Sequence, residues 1–407
     1  MASNRELQSL DPGSFSTGVQ WLLGTASGLP IANLYYAQPL TGLISASLGM
    51  PPGSSGLLVT LPLIGYGIGL LLVVPLGDLV ENRKLVLLLV GLEALCMLSA
   101  GLTTRPVPFL GVALLIGATA CAVQILVPYV TYLAPEAERG QAVGKVVSGL
   151  MLGIMLARPV SSLVADQWSW RAIFRISAVL MALLFVALQV ALPPRRPTPG
   201  LTYGALLRSL GRIFITTNIL RRRAFYHASM FGAFSVFWTA APLWLTGPRL
   251  GLSQRGVAWV ALAGVAGAVA PPIAGRVPDK GLSRPGTVLA MLLAAGAFLL
   301  SDLPFGSSRL ALGLVVACAI LLDFAVSANL VFGQRAIYSL GAEERSRLNG
   351  LYLATFFAGG AISSALSGWA YSRFGWMGVS ALGIALPMLG LVYLVTERSP
   401  KAAAVVG

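Results

Sequence analysis

Two charged residues lie inside apolar stretches of the sequence. Asp323 interrupts the run AILLDFAVSANL, with Ser327 one helical turn later, and Arg158 interrupts the run MLARPVSS. A charged side chain at the centre of a membrane-spanning helix costs about 3 kcal/mol or more, so such residues commonly mark ion, proton or substrate sites. A carboxyl group there can carry a proton or pair with a cationic compound. A guanidinium group can hold an anionic or hydroxyl-rich compound.

The two charges are not predicted to touch. Counting 1.5 Å per residue from the ends of the apolar stretches places Arg158 and Asp323 at depths that differ by roughly 10 Å. We therefore expect a link through water or substrate rather than a direct salt bridge. A structural alternative stays open for each residue: Asp323 as a buried hydrogen-bonding group, and Arg158 as the partner of an internal carboxylate.

Other polar and aromatic residues in the apolar stretches suggest the lining of a binding cavity. Asn33 and Tyr36 share a face of one predicted helix, while Gln124 and Trp238 lie in two others. Aromatic rings with sparse amides and hydroxyls suit an amphipathic organic compound. Packing against lipid or a neighbouring helix is the alternative for any one aromatic residue.

Two further ionisable residues are predicted to be structural. Glu93 lies in the middle of the third apolar stretch, where we expect it to pair with a neighbour, with proton relay as the alternative. His227, the single histidine, begins the seventh stretch, and we expect it at the membrane interface.

The motif content argues against an enzyme. The sequence contains neither HExxH nor GxSxG, and one histidine cannot supply a site that needs two. Cys96, Cys121 and Cys318 lie in apolar stretches without the short spacings of zinc ligands. We therefore predict no catalytic residue, no metal and no cofactor.

The composition is that of a membrane protein. Apolar residues make up 56% of the chain and charged residues 10%, with a mean hydropathy of +0.81. A soluble domain carries about 25% charged residues, so this chain cannot cover a water-facing surface. Twelve stretches are long enough to cross roughly 30 Å of hydrocarbon as helices. They are 17–46, 54–77, 84–104, 107–133, 141–165, 172–193, 225–247, 254–275, 285–303, 308–333, 348–371 and 376–396.

We predict an all-α integral membrane protein whose twelve transmembrane helices form two pseudo-symmetric six-helix bundles. Glu138-Arg139, Gly144 and Trp170 recur 206 residues later as Glu344-Arg345, Gly350 and Trp376. Two homologous bundles are how many transporters build halves that rock around a central site. The predicted divisions are a cytoplasmic tail over 1–16, a first bundle over 17–193, a cytoplasmic linker over 194–224, a second bundle over 225–396 and a cytoplasmic tail over 397–407.

Two local patterns refine this organisation. In the fifth stretch Gly149, Gly153, Ala157 and Ser161 recur every four residues, a small-residue stripe that permits close helix contact. In the linker, residues 203–214 are mildly amphipathic. They are expected to lie along the membrane surface or to form a solvated linker helix.

The net charge of +14 is interpreted as a topology signal rather than a nucleic-acid surface. With the N-terminus inside, 20 of the 28 Lys and Arg residues fall in the tails and loops on the inner side. By the positive-inside rule both termini are cytoplasmic. The predicted location is a bacterial inner membrane, with membrane lipid as a partner and no nucleic acid.

Two loops carry a family resemblance. PLGDLVENRK at 75–84 and GRVPDKGLSR at 275–284 occupy equivalent places in the two halves. They resemble the loop signature of the major facilitator superfamily. The stretch ANLYYAQPL at 32–40 is more particularly similar to bacterial twelve-helix efflux permeases of the arabinose-efflux or multidrug type.

The resemblance implies proton-driven export, with the first, fourth, seventh and tenth helices lining the cavity and Asp323 therefore facing it. It also implies that loop charges latch the two halves rather than bind substrate. The charges assigned to this conformational control are Asp78, Arg83, Asp279 and Arg284, with topology charges that have no gating role as the alternative.

The predicted function is proton-coupled export of a small organic compound by alternating access, carried out by a monomer. A proton-independent facilitator or organic-anion exchanger that uses Arg158 is the alternative. Gly153 is followed by Ile154 where the family's antiporters have Gly-Pro, and the fourth stretch lacks the family's usual arginine. A non-transporting membrane sensor or scaffold on the same fold is therefore the second alternative.

Overall fold

The chain is helical throughout the part of it that is described. The computed structural model describes residues 17–51, 53–136, 138–197, 200, 202–274, 282–303, 308–341 and 344–397, and no strand is assigned within them. Nine helices in these ranges are long and apolar enough to cross a membrane. The predicted all-α membrane fold is confirmed.

The helices follow the predicted spans, which are numbered here span 1 to span 12. In the first half, span 1 joins Thr17–Asn33 to Thr41–Ser47, span 2 begins as Leu57–Ile68 and continues to Asp78, span 3 is Asn82–Leu102, span 4 joins Pro106–Ala120 to Ala122–Leu133, span 5 is Arg139–Gln167 and span 6 is Trp170–Ala191. In the second half, span 7 is Asn218–Thr246, span 8 joins Gln254–Gly264 to Ala270–Ala274, span 9 is Ser283–Ser301, span 10 is Ser308–Tyr338, and spans 11 and 12 share Arg345–Val395. The linker helix is Tyr203–Thr216.

The nine long helices account for ten of the twelve spans, because one of them contains two spans, and the other two spans are broken. Arg345–Val395 has 51 residues. At 1.5 Å per residue that is about 76 Å, enough for two crossings of a bilayer core of roughly 30 Å. Gly375 divides it with φ 64°, a left-handed conformation that glycine adopts without strain. Spans 1 and 8 are each broken by a turn or a 3-10 segment, which keeps their single helices short.

Spans 1 and 5 cross at backbone contact. A Cβ atom added at Gly149 would lie 2.1 Å from the Gly24 carbonyl oxygen, and one at Gly153 would lie 2.2 Å from the Gly28 carbonyl oxygen. Only glycine fits at such a crossing. The small-residue stripe predicted for span 5 therefore does allow close packing, and Gly24 and Gly28 supply its other side.

The two halves meet at one end of the molecule, called here the far end, where span 5 turns into span 6. Span 2 packs there on span 11, with Thr60 Oγ1 donating to the Ala361 carbonyl oxygen at 3.1 Å and Ser364 Oγ donating to the Gly56 carbonyl oxygen at 3.2 Å. Span 5 packs there on span 8. The opposite end, where span 6 leads into the linker helix, is called the basic end.

The linker helix packs against protein on its apolar face. Leu206, Leu210 and Ile213 are buried. Tyr203 Oη donates to the Leu72 carbonyl oxygen of span 2 at 2.8 Å, and Ser209 Oγ lies 3.2 Å from Arg347 Nη1 of span 11. The amphipathic pattern thus reflects docking onto both halves at the basic end.

We expect Gly149→Ala to destabilise the protein and Gly144→Ala in the same span to be neutral. The added methyl group at 149 meets the Gly24 carbonyl oxygen, whereas a Cβ at Gly144 meets nothing within 4 Å. Overpacking of this kind costs about 1–3 kcal/mol. Thermal unfolding in detergent measures the difference. Equal midpoints for the two variants would contradict the close crossing of spans 1 and 5.

Candidate functional site

A cavity of about 540 Å³ lies between the two halves. Its walls come from spans 1, 2, 4 and 5 of the first half and from spans 7, 8, 10 and 11 of the second. Arg158 and Asp323 lie at the end where the halves close on each other. Tyr338 and Asn349 line the cavity toward the basic end. Most of the remaining lining is aliphatic or aromatic, so the site suits an amphipathic compound.

Arg158 and Asp323 form a direct ion pair between the halves. Arg158 Nη2 lies 3.5 Å from Asp323 Oδ2, and the residues are 4% and 8% exposed. Trp238 Nε1 donates to Asp323 Oδ1 at 2.9 Å, and its ring lies 4.0 Å from the Arg158 guanidinium carbon. Each carboxylate oxygen therefore has a partner, and the guanidinium group rests on an aromatic face.

The prediction that these two residues do not touch was wrong. Spans 5 and 10 contain 29 and 31 residues. At 1.5 Å per residue each is longer than about 40 Å and extends beyond the hydrocarbon core. The number of residues from a helix end therefore does not give the depth of a residue in the membrane. The long Arg158 side chain spans the remaining difference in depth between the two residues.

Three other predicted site residues lie at or beside the cavity. Ser327 lines it one turn from Asp323, as their spacing indicates. Gln124 lines it from span 4, and its Nε2 donates to Tyr66 Oη at 3.1 Å. Trp238 contacts the ion pair and is 1% exposed, so its role is to hold the pair rather than to form open cavity wall.

Asn33 and Tyr36 lie away from the cavity, contrary to the prediction. Asn33 Nδ2 donates to Glu93 Oε1 at 2.8 Å, and its Oδ1 accepts from Ser177 Oγ. The regular helix of span 1 ends at Asn33, and a turn follows. The helical spacing that placed Asn33 and Tyr36 on one face therefore does not continue through Tyr36. Tyr35 lines the cavity instead of Tyr36. Glu93 pairs with a neighbour as predicted.

Among the predicted gating residues, Asp78 lies in a pocket at the basic end. Asp78, at the end of span 2, lies within electrostatic reach of Arg195 and of Arg347 from span 11. These three residues line a small pocket at the basic end. Asp78 is thus positioned between the halves, and its cross-half partner Arg347 was not identified from the sequence.

Of the other three members of that set, the two that the structure describes, Arg83 and Arg284, do not line this pocket. Arg83 donates to the Gln189 carbonyl oxygen within the first half. Arg284 lies in the first turn of span 9. Asp279 is outside the described residues.

Two functional features were missed in the sequence. His227 is 1% exposed and lines the cavity between the halves, a position that the sequence analysis did not assign to it. It belongs to a stripe with Phe231, Phe234 and Trp238, at spacings of four, three and four residues, which helical periodicity could have revealed. At the far end, Asp166 and Arg255 form an ion pair at 3.2 Å between spans 5 and 8, for which the sequence offers no periodic signal.

Comparisons with known proteins agree with this architecture. The sequence pattern of the Major Facilitator Superfamily matches residues 21–337. The chain is 37% identical to transporter YgaY of Escherichia coli K12, over 91% of this chain and 93% of the relative. It is 32% identical to the probable transporter SCO4007 of Streptomyces coelicolor, over 91% and 85%.

Solved structures share the fold at low sequence identity. A bacterial homologue of the human lysosomal transporter Spinster, inward-facing and unoccupied, superposes with a TM-score of 0.71 at 16% identity, covering 93% of this chain and 94% of its own. The nucleoside transporter NupG superposes with a TM-score of 0.72 at 15% identity, covering 92% of this chain and 99% of its own.

We expect the single variants Asp323→Asn and Arg158→Gln to be less stable than the double variant that carries both. Each single change leaves a buried charge without its partner, at a cost of about 3–5 kcal/mol, whereas the double variant leaves no charge to compensate. Thermal unfolding of the parent and the three variants in detergent tests this. Additive losses in the double variant would mean that the two residues do not interact.

Proposed function

This chain belongs to the major facilitator superfamily, and we propose that it exports a small organic compound across a bacterial inner membrane in exchange for protons. The observation that carries the proposal is the Arg158–Asp323 ion pair, which joins the two halves at the closed end of the cavity. Alternating access requires the halves to part at that end, so this pair must separate in every cycle.

The orientation follows from charge. Because Lys and Arg are concentrated in the tails and loops of the basic end, that end is assigned to the cytoplasm by the positive-inside rule. The part of the cavity lined by Tyr338 and Asn349 then faces the cytoplasm, and the far end faces the periplasm. This arrangement suits a state that collects its substrate from inside the cell, or from the inner leaflet.

The ion pair provides a rule for exchange. With Asp323 ionised and the cavity empty, separation would leave two bare charges in a medium of low dielectric constant, which is very unfavourable. A proton on Asp323 removes its attraction to Arg158. A substrate that binds either residue replaces the interaction that the residue loses. The halves therefore move when the site holds a proton or a substrate and stay closed when it holds neither, which is the requirement for tight exchange.

A proton-independent organic-anion exchanger is the second candidate. Arg158 Nε and Nη1 have no hydrogen-bond partner among the described residues, although the side chain is buried. Unpaired guanidinium donors favour a carboxylate or another oxygen acceptor on the substrate. If such a group binds Arg158 while Asp323 remains ionised, no proton is needed.

Proton coupling through Asp323 is tested in proteoliposomes that contain an internal pH dye, challenged with cationic, neutral and anionic compounds. We expect compound-triggered proton flux in the parent and none in Asp323→Asn, because the amide cannot carry the proton. Exchange of labelled compound should persist in that variant. Asp302→Asn, at the exposed end of span 9, is the matched control and should behave as the parent. Proton flux that survives in Asp323→Asn would overturn the assignment.

The ion pair at the far end is expected to bias the conformational equilibrium. Asp166 Oδ2 contacts the Arg255 guanidinium group, and Asp166 Oδ1 accepts from the Arg255 backbone N–H. The pair is partly exposed, so Asp166→Asn should shift the population toward the outward-open state only about two- to five-fold. Distances between spin labels placed across the far end measure that population. An unchanged distance distribution would exclude Asp166 as a far-end lock.

A further inference from the structure

We propose that His227 is a second substrate-contact point, which donates a hydrogen bond to an oxygen acceptor on an elongated aromatic compound. The other end of that compound would reach the Arg158–Asp323 pair. This inference rests on the proposed transport function, because it names the class of compound that the same cavity takes.

His227 presents a free donor to the cavity. It lines the cavity wall, and its Nδ1 lies 3.1 Å from Asn329 Nδ2. The amide nitrogen can only donate, so Nδ1 accepts and the neutral ring carries its proton on Nε2. No residue of the described ranges accepts a hydrogen bond from Nε2. Because His227 lines the cavity, a ligand bound there can supply an acceptor for Nε2.

The ring is held rigidly. Tyr352 stacks on it with ring centroids 5.6 Å apart, and Phe356 meets it edge-on at 4.7 Å. Within the described residues these aromatic groups and Phe231 surround it, and no carboxylate contacts it. A fixed, neutral donor of this kind suits a carbonyl or ether oxygen rather than an anion.

The distance between the two polar points sets the length of the ligand. His227 and Trp238, which holds the ion pair, lie eleven residues apart on one helical face. At 1.5 Å per residue that is about 16 Å. A compound that spans it must be longer than a single ring and must carry polar groups at both ends.

Aromatic side chains line the path between the two points. Phe231 and Phe234 of span 7 are stacked at 5.3 Å, and Phe356 and Phe357 of span 11 are stacked at 4.5 Å. All four line the cavity. Flat rings pack well against such walls. The geometry therefore favours a compound with two or more linked rings and an acceptor at the end nearer the cytoplasm.

The probes are biphenyl-4-carboxamide and 4′-acetylbiphenyl-4-carboxamide, which differ only by the distal acceptor. Their affinities are measured by calorimetry for the full chain in nanodiscs. We expect the acetyl compound to bind the parent about ten-fold more tightly, and His227→Phe to remove that preference without changing the affinity of the unacetylated compound. His227→Gln, which retains a donor, should recover part of the preference. Asp302→Asn, at the exposed end of span 9 and outside the cavity lining, is the control and should change neither affinity.

Three results would overturn the inference. They are an equal loss of affinity for both compounds in His227→Phe, an unchanged preference for the acetyl compound in that variant, or no binding of either compound to the parent. Labelled-compound exchange in proteoliposomes separates this inference from the transport function. If the acetyl compound binds with the His227 dependence but is never exchanged, the site stands and the transport function fails. If the parent exchanges another compound but binds neither probe, transport stands and this substrate class is wrong.

Discussion

The structure depends on the cost of holding two opposite charges in a medium of low dielectric constant. Arg158 and Asp323 are each unfavourable alone within a bilayer, and their contact, together with the Trp238 hydrogen bond to Asp323, offsets part of that cost. Because one residue belongs to each half, the chain reduces this cost by docking the halves. Trp238 contributes to both members, since its indole N–H donates to the carboxylate and its ring faces the guanidinium group. The same interaction that closes the far end is thus an obstacle to opening it.

Two of the contacts between the halves, that of spans 2 and 11 and that of spans 5 and 8, are built from different chemistry. Spans 2 and 11 approach until a Cβ atom at Gly56 would lie 2.3 Å from the Ser364 carbonyl oxygen, so that seam relies on backbone contact and hydroxyl hydrogen bonds. Spans 5 and 8 meet at the Asp166–Arg255 ion pair, which is partly exposed to water. Water can replace an ion pair at little cost, whereas a glycine contact is lost outright when the helices separate. The contact between spans 5 and 8 is therefore the easier one to open, and the contact between spans 2 and 11 is suited to act as the pivot.

The sequence predicted the architecture well because hydrophobic length and repeat spacing are properties of single segments. It singled out Asp323, Arg158 and Ser327 for a similar reason, since a charge inside an apolar run and a residue one turn away are both local signals. Apart from the His227 stripe, which helical periodicity could have revealed, what it missed depends on relations between segments. The choice of Tyr35 over Tyr36 follows from a turn at the end of a helix, where periodicity no longer specifies a face. The placement of Asp78 and Arg347 in one pocket and the contact of Arg158 with Asp323 depend on how two halves dock, which no single-sequence period encodes.

The distribution of polarity along the cavity indicates how selectivity and coupling can be separated. The ion pair lies at the closed end and decides whether the halves can part. His227, Gln334 and Asn349 lie along the wall toward the basic end and can discriminate among compounds without touching that pair. Between them the wall of span 5 offers Met151 and Met155, whose flexible side chains adapt to ligands of different shape. A substitution at His227, Gln334 or Asn349 should then change which compounds bind. The requirement that a proton or a substrate release the ion pair should be preserved. Coupling and recognition can therefore vary independently in this fold, because His227 lies about 16 Å along span 7 from Trp238, which contacts the ion pair.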